Sequence, residues 1–187
     1  DGDTAYTPVA AGSVKITGLD ADVYYVRYCA ETGKEASAEV KIVLFDKAVV
    51  YVDKPSGSNS NSGFTEDAPV STFAQAVTQL KLRLQHLPDD TEAVVMLLTD
   101  YEISAKITNF ASHDFPITVT SKDGSVGIKR TATAAYNRLS FGGDVTLKNL
   151  TLTVDTPDAY NYLLANGHKL TIGENVKCAG PKYYNLV

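Results

Sequence analysis

The chain has no tryptophan, one methionine, two cysteines and three histidines in 187 residues. Two cysteines, Cys29 and Cys178, cannot build a disulfide framework for a chain of this size. No C-x-x-C occurs, and His86, His113 and His168 share no ligand spacing with the cysteines, which argues against zinc. Basic residues are sparse and scattered. Lys129-Arg130 and Lys81-Leu82-Arg83 are the only local concentrations, and the net charge is −5, so no stripe suited to nucleic acid exists. There is no apolar run of membrane-spanning length, which excludes a helical membrane insertion. No glycine-rich phosphate loop follows a strand, and no G-x-S-x-G elbow occurs. Nothing in the sequence calls for a cofactor.

What is abundant is material for strands and turns. Val, Thr, Ser, Tyr and Gly are plentiful, and 44% of residues are apolar, enough to build a core. The organising stretch is 49–88, VVYVDKPSGSNSNSGFTEDAPVSTFAQAVTQLKLRLQHLP. It reads as a strand, a Ser/Asn/Gly loop and an amphipathic helix. Phe73, Ala76, Val77, Leu80, Leu84 and Leu87 fall on one face of a 3.6-residue period, with Leu82 off the stripe. Thr72 and Gln75 form a capping-box pattern, and Pro88 is expected to stop the helix.

Before this stretch, 23–30 (VYYVRYCA) and 37–45 (SAEVKIVLF) alternate as antiparallel strands, with Val40 and Ile42 expected to face inward. A shorter β-branched run covers 13–17. After it, 93–98 (AVVMLL) is continuously apolar, as buried parallel strands tend to be. Strands are then expected at 103–107, 117–120, 126–128, 139–141, 145–147, 150–154, 162–164 and 170–172. Val95, Val119, Ser140 and Thr171 mark a loose repeat of roughly twenty-odd residues, as in a solenoid with variable loops. Asn149 stands where the chain must bend without Gly or Pro, Asn166 before Gly167 is a second candidate of the same kind, and Asn tolerates left-handed dihedrals. An antiparallel β-sandwich is the alternative arrangement of the same strands.

Two family resemblances follow. ITGLDADVYYVRYCA and EASAEVKI are similar to the last strands of fibronectin-III-like modules in surface proteins of Gram-positive bacteria. By that resemblance Leu19 and Tyr24 or Tyr25 would form the tyrosine corner. The match covers about a quarter of the chain, and fewer than fifty residues make only a partial sandwich. VYVDKPSGSNSNSGFTEDAPVSTFAQAV resembles the opening of pectate-lyase-like right-handed parallel β-helices, where a helix caps the first coil. Together they imply a mainly β chain: 1–47 a partial fibronectin-III-like module, 48–187 the capping helix and first coils of a truncated parallel β-helix. Both ends read as cut from something longer.

The resemblances imply a secreted or cell-wall-anchored bacterial surface protein of the Firmicutes type, adhesin-like and noncatalytic. The implied partners are a host protein, immunoglobulin included, or a glycan. Binding is expected at the tyrosine-rich last third, at Tyr136, Asp158, Tyr160, Tyr162, Tyr183 and Tyr184, since Tyr combines apolar area with a hydroxyl. Two other readings stay open: the front end of a polysaccharide lyase or glycosidase, and a structural stalk. Catalysis would need two carboxylates facing one cleft. Asp100 with Glu102, the group Asp89, Asp90 and Glu92, and Asp155 with Asp158 are the available sets, and each also suits turn chemistry. The loop at 56–63 lacks the alternating acids of a calcium loop and reads as a flexible connection.

Overall fold

A strand apolar on both faces has to be covered on both, whereas an alternating strand needs cover on one. The computed structural model, which describes residues 23–28, 30, 32–43, 47–103, 107–130, 137–154 and 163–180, arranges the two kinds differently. It divides the chain into two compact units, 1–46 and 47–187.

In the first unit, β1 (Val23–Val26) and β2 (Val40–Val43) pair antiparallel, with Tyr24 opposite Ile42 and Val26 opposite Val40. Val40 is 61% exposed and Ile42 40%, so neither faces inward as the alternation suggested. A two-stranded ribbon has no second layer among the described residues, and alternation cannot create a buried face without one. The 13–17 run and the corner leucine Leu19 lie outside the described residues.

The second unit holds β3 (Lys47–Val52), α1 (Phe73–Leu84), β4 (Glu92–Leu97), β5 (Tyr101–Glu102), β6 (Ile107–Asn109), β7 (Ile117–Ser121) and β8 (Gly127–Arg130). Then follow β9 (Arg138–Ser140), β10 (Val145–Leu147), β11 (Leu150–Val154), β12 (Leu163–Leu164), β13 (Leu170–Ile172) and β14 (Val176–Ala179). They form three sheets among the described residues, ordered β3-β4-β7-β10-β13, β5-β8-β11-β14 and β6-β9-β12. Every ladder in them is parallel, which an antiparallel sandwich does not allow. From β4 onward the chain visits the three sheets in turn, adding one strand to each per circuit.

In the first sheet, Ala48, Ala93, Ile117, Val145 and Leu170 stand in one column and Val50, Val95, Val119, Leu147 and Ile172 in another. Both columns are buried until the last strand, where Ile172 reaches 46% exposure. Val95 and Val119 are register partners, as their spacing suggested. Ser140, however, belongs to the third sheet, and Thr171 is one residue out of the column, on the outward face with Thr118 and Thr146. Loops of unequal length move the repeat, and a one-residue slip exchanges faces.

Asn149 and Asn166 are left-handed, at φ 46° and 52°, at the bends expected of them. Asn175, at φ 55°, is a third, one position before Val176, which pairs with Leu150. Asn149 Nδ2 donates to the Ser121 carbonyl at 2.8 Å, while its own carbonyl accepts the Ser121 amide and hydroxyl. The side chain thereby fastens one circuit's bend to that of the circuit before.

Helix α1 closes the β3 end. Thr72 caps it, its hydroxyl accepting from the Gln75 amide at 3.2 Å. The helix ends at Leu84 rather than running to Pro88, because His86 and Leu87 donate three residues back and tighten the last turn. Phe73, Ala76, Val77 and Leu80 are fully buried and Leu82 is half exposed. The Phe73 ring stacks on Phe110 at 4.4 Å and lies 3.9 Å from Tyr101. Phe110 in turn meets Phe141 at 5.3 Å, where the Phe110 amide donates to the Ser140 carbonyl and that of Phe141 to Leu164. An aromatic column thus runs from the helix down successive corners of the stack.

The Ser/Asn/Gly loop is strapped to β3 rather than loose. The amides of Tyr51 and Asp53 donate to Gly63 and Val70, and the Val70 amide donates back to Tyr51. Asn59 Oδ1 accepts from the Ser71 amide and from the hydroxyls of Ser71 and Thr72. Arg83 completes the closure, donating to the Val49 carbonyl at 3.2 Å with Phe64 beneath its guanidinium at 4.7 Å. Burial lowers its pKa. An edge strand with free donors and acceptors invites another chain, and these contacts occupy that edge.

Candidate functional site

Where α1 ends, the chain must turn to enter the first sheet beside β3. It does so at 88–91, a turn closed by the Thr91 amide donating to the Pro88 carbonyl at 3.0 Å. Asp89 and Asp90 fill its two central positions, which suits their chemistry. The strand that follows starts at Glu92, whose carboxylate lies 3.2 Å from Lys47 Nζ on the neighbouring strand. One circuit later the chain re-enters the same sheet through Phe115 and Pro116, just before β7.

Between these two entries lies a groove of about 500 Å³. Leu84, Pro88, Ala93, Phe115 and Pro116 supply its apolar lining, Thr91 and Thr118 its hydroxyls, and Asp89, Asp90 and Glu92 its charge. Phe115 is held from behind by packing on the core and by the His113 ring at 5.5 Å. The carboxylates differ in electrostatic state. Glu92 has a cation beside it, while Asp89 and Asp90 have no hydrogen bond or ion pair among the described residues.

His113 itself is buried, with Nδ1 donating to the Ala111 carbonyl at 2.9 Å. Its Nε2 has no partner, and the Gly143 backbone closes over it: a Cβ at 143 would stand 2.5 Å from that nitrogen. No room remains there for a ligand.

Several of the other acids serve the backbone. Asp100 Oδ1 accepts the Gly127 amide at 3.0 Å, so it braces two circuits of the second sheet, and Glu102 lies exposed beside Lys129 in register. Asp53 accepts from the Ser56 amide and the Thr99 hydroxyl, and Glu66 pairs with Lys122 at 3.1 Å. Asp123 accepts the Ser125 hydroxyl and amide, which pull its pKa down. Tyr101 is pushed the other way, its pKa raised by burial against a smaller lowering from a hydrogen bond with the Phe73 backbone. No group of three or more His, Cys, Asp or Glu residues disposed to hold a metal occurs among the described residues.

The chain matches no family model, no curated protein and no solved structure. The candidates Tyr136, Asp158, Tyr160, Tyr162, Tyr183 and Tyr184, and Asp155 with them, lie outside the described residues. The groove unites Asp89, Asp90 and Glu92, which the sequence presents as a turn, with Phe115 and Pro116, which it presents as an unremarked dipeptide. Only the parallel register of β4 on β7 brings those two segments side by side. Among the described residues, no helix is long and apolar enough to cross a membrane.

Proposed function

We propose that 47–187 is a helix-capped right-handed parallel β-helix, that 1–46 belongs to a fibronectin-III-like module, and that the chain is a noncatalytic binding segment of an adhesin-like bacterial surface protein. Its partner is a protein of the host, immunoglobulin being the first to try. The β-helix assignment is supported by three parallel sheets visited in rotation, by asparagines at left-handed bends, and by the helix seated on the first circuit. Right-handedness follows the strong general preference of crossovers between parallel strands.

The observation that carries the binding reading is the distribution of the acids. A hydrolase of this architecture needs two carboxylates across one cleft, free to act on a sugar. Here Asp53, Asp100, Asp123 and Asp144 each accept a backbone amide and hold loops. Asp89 and Asp90, which have no side-chain partner among the described residues, sit instead on one turn, at the rim of an apolar groove.

The reading is tested by immobilising the chain and passing purified immunoglobulin G, fibrinogen, fibronectin and mucin over it. A parallel incubation with polygalacturonate and host glycans is followed for released reducing ends. Saturable retention of at least one protein, with no product released, is the expected outcome. Turnover of any polysaccharide would transfer the chain to the carbohydrate-active enzymes, and retention of no protein would remove the binding role.

A further inference from the structure

We propose that the groove between the 88–91 turn and Phe115-Pro116 is a docking site for a partner segment that presents arginine or lysine beside an apolar side chain. The inference rests on the binding role proposed above and names the site and the chemistry of its partner.

The lining offers a partner the apolar surfaces of Leu84, Pro88, Phe115 and Pro116, which an aliphatic or aromatic side chain would cover. A volume of about 500 Å³ lies within the range of small-ligand and side-chain pockets, so it suits one or two side chains rather than a domain face. On the rim, Lys47 already answers Glu92, which leaves Asp89 and Asp90 as uncompensated charges. Two carboxylates side by side repel one another, and a cation between them relieves that repulsion.

The turn is built to present them. Pro88 and Thr91 close it through the backbone, so neither aspartate side chain is needed to hold its shape. An anionic or purely apolar segment would leave the pair unanswered. A guanidinium or ammonium on an apolar stem fits both halves at once, stem against the lining and charge at the rim.

The test uses the whole chain and a short fluorescein-labelled peptide of alternating leucine and arginine. Leucine–glutamine and leucine–glutamate peptides of the same length serve as controls, and binding is followed by fluorescence anisotropy. The arginine peptide should bind about tenfold more tightly than the glutamine peptide at low salt, and the glutamate peptide least. The double variant Asp89→Asn/Asp90→Asn should erase most of that preference and flatten its salt dependence. Because Asn also suits turn centres, the variant should keep its circular dichroism and unfolding midpoint.

Thr118→Arg is the second variant. It places a cation in the groove from the outward face of β7 and should block the arginine peptide altogether. Equal binding of the arginine and glutamine peptides, or binding untouched by both variants, would overturn the proposal. The two readings fail separately. A host protein retained by both wild type and Asp89→Asn/Asp90→Asn would sink the groove alone. Peptide selectivity without retention of any protein would sink the binding role and leave the groove standing.

Discussion

Replacing Phe73 by alanine is expected to lower the free energy of unfolding of the second unit by about 3–5 kcal/mol, the cost typical of a large buried aromatic. The ring is fully buried and lies on Tyr101 at 3.9 Å and Phe110 at 4.4 Å, so its removal opens a cavity between the helix and two of the three sheets. The loss has a second part. Phe73 is the first residue of α1, and its contacts fix where the helix enters the stack. Once they are gone, Arg83 and the 57–70 loop have to hold the β3 edge unaided. Urea unfolding followed by circular dichroism measures the change. Phe73→Leu, which keeps most of the volume, should cost less than half as much. Equal losses for both variants would mean that the ring contacts with Tyr101 and Phe110, and not the filled volume, carry the cost.

The second large effect is expected at Gly127. A Cβ there would stand 1.7 Å from the Thr151 carbonyl oxygen, a backbone atom in β11 that cannot rotate away. Gly127→Ala must push β8 and β11 apart and strain the Asp100 contact to the 127 amide. The expected cost is about 3 kcal/mol, at the upper end for overpacking. Gly167→Ala is the informative comparison. That glycine has a left-handed φ of 83° but nothing within 4 Å of its Cβ direction, so only the conformational penalty applies. It should cost about 1–2 kcal/mol. Unfolding midpoints of the two variants give the order directly, and a Gly127→Ala protein as stable as wild type would contradict the close approach of these strands.

Much of this architecture is legible in the residues, and the reasons it is not all legible are physical. The helix stripe from Phe73 to Leu80, the Thr72 cap and the left-handed bends at Asn149 and Asn166 depend on local rules, and local sequence states them. Strand β14 escapes notice because VKCA is short, interrupted by Lys177 and mostly exposed. The register of the repeat is harder, since it depends on loop lengths that vary from circuit to circuit, and Ser140 and Thr171 show the resulting error. The serine-asparagine loop is harder still. Its composition suggests a linker, and only its place against an unpaired strand edge gives Gly63, Asn59 and Val70 partners. In the same way the groove is invisible to any window along the chain. Asp89 and Phe115 are distant in sequence and meet because β4 and β7 run parallel.

The central claim is that the loop and helix between β3 and β4 close the first edge of a parallel stack. Amide hydrogen exchange on the folded protein tests it most directly. The amides of Tyr51, Asp53 and Val70 donate across that edge at 2.7, 2.9 and 3.0 Å. They should exchange as slowly as the amide of Val95 inside the first sheet, through global unfolding alone. Exchange of those three amides at the rate of exposed loop residues, with Val95 still protected, would show the β3 edge open and the closure absent.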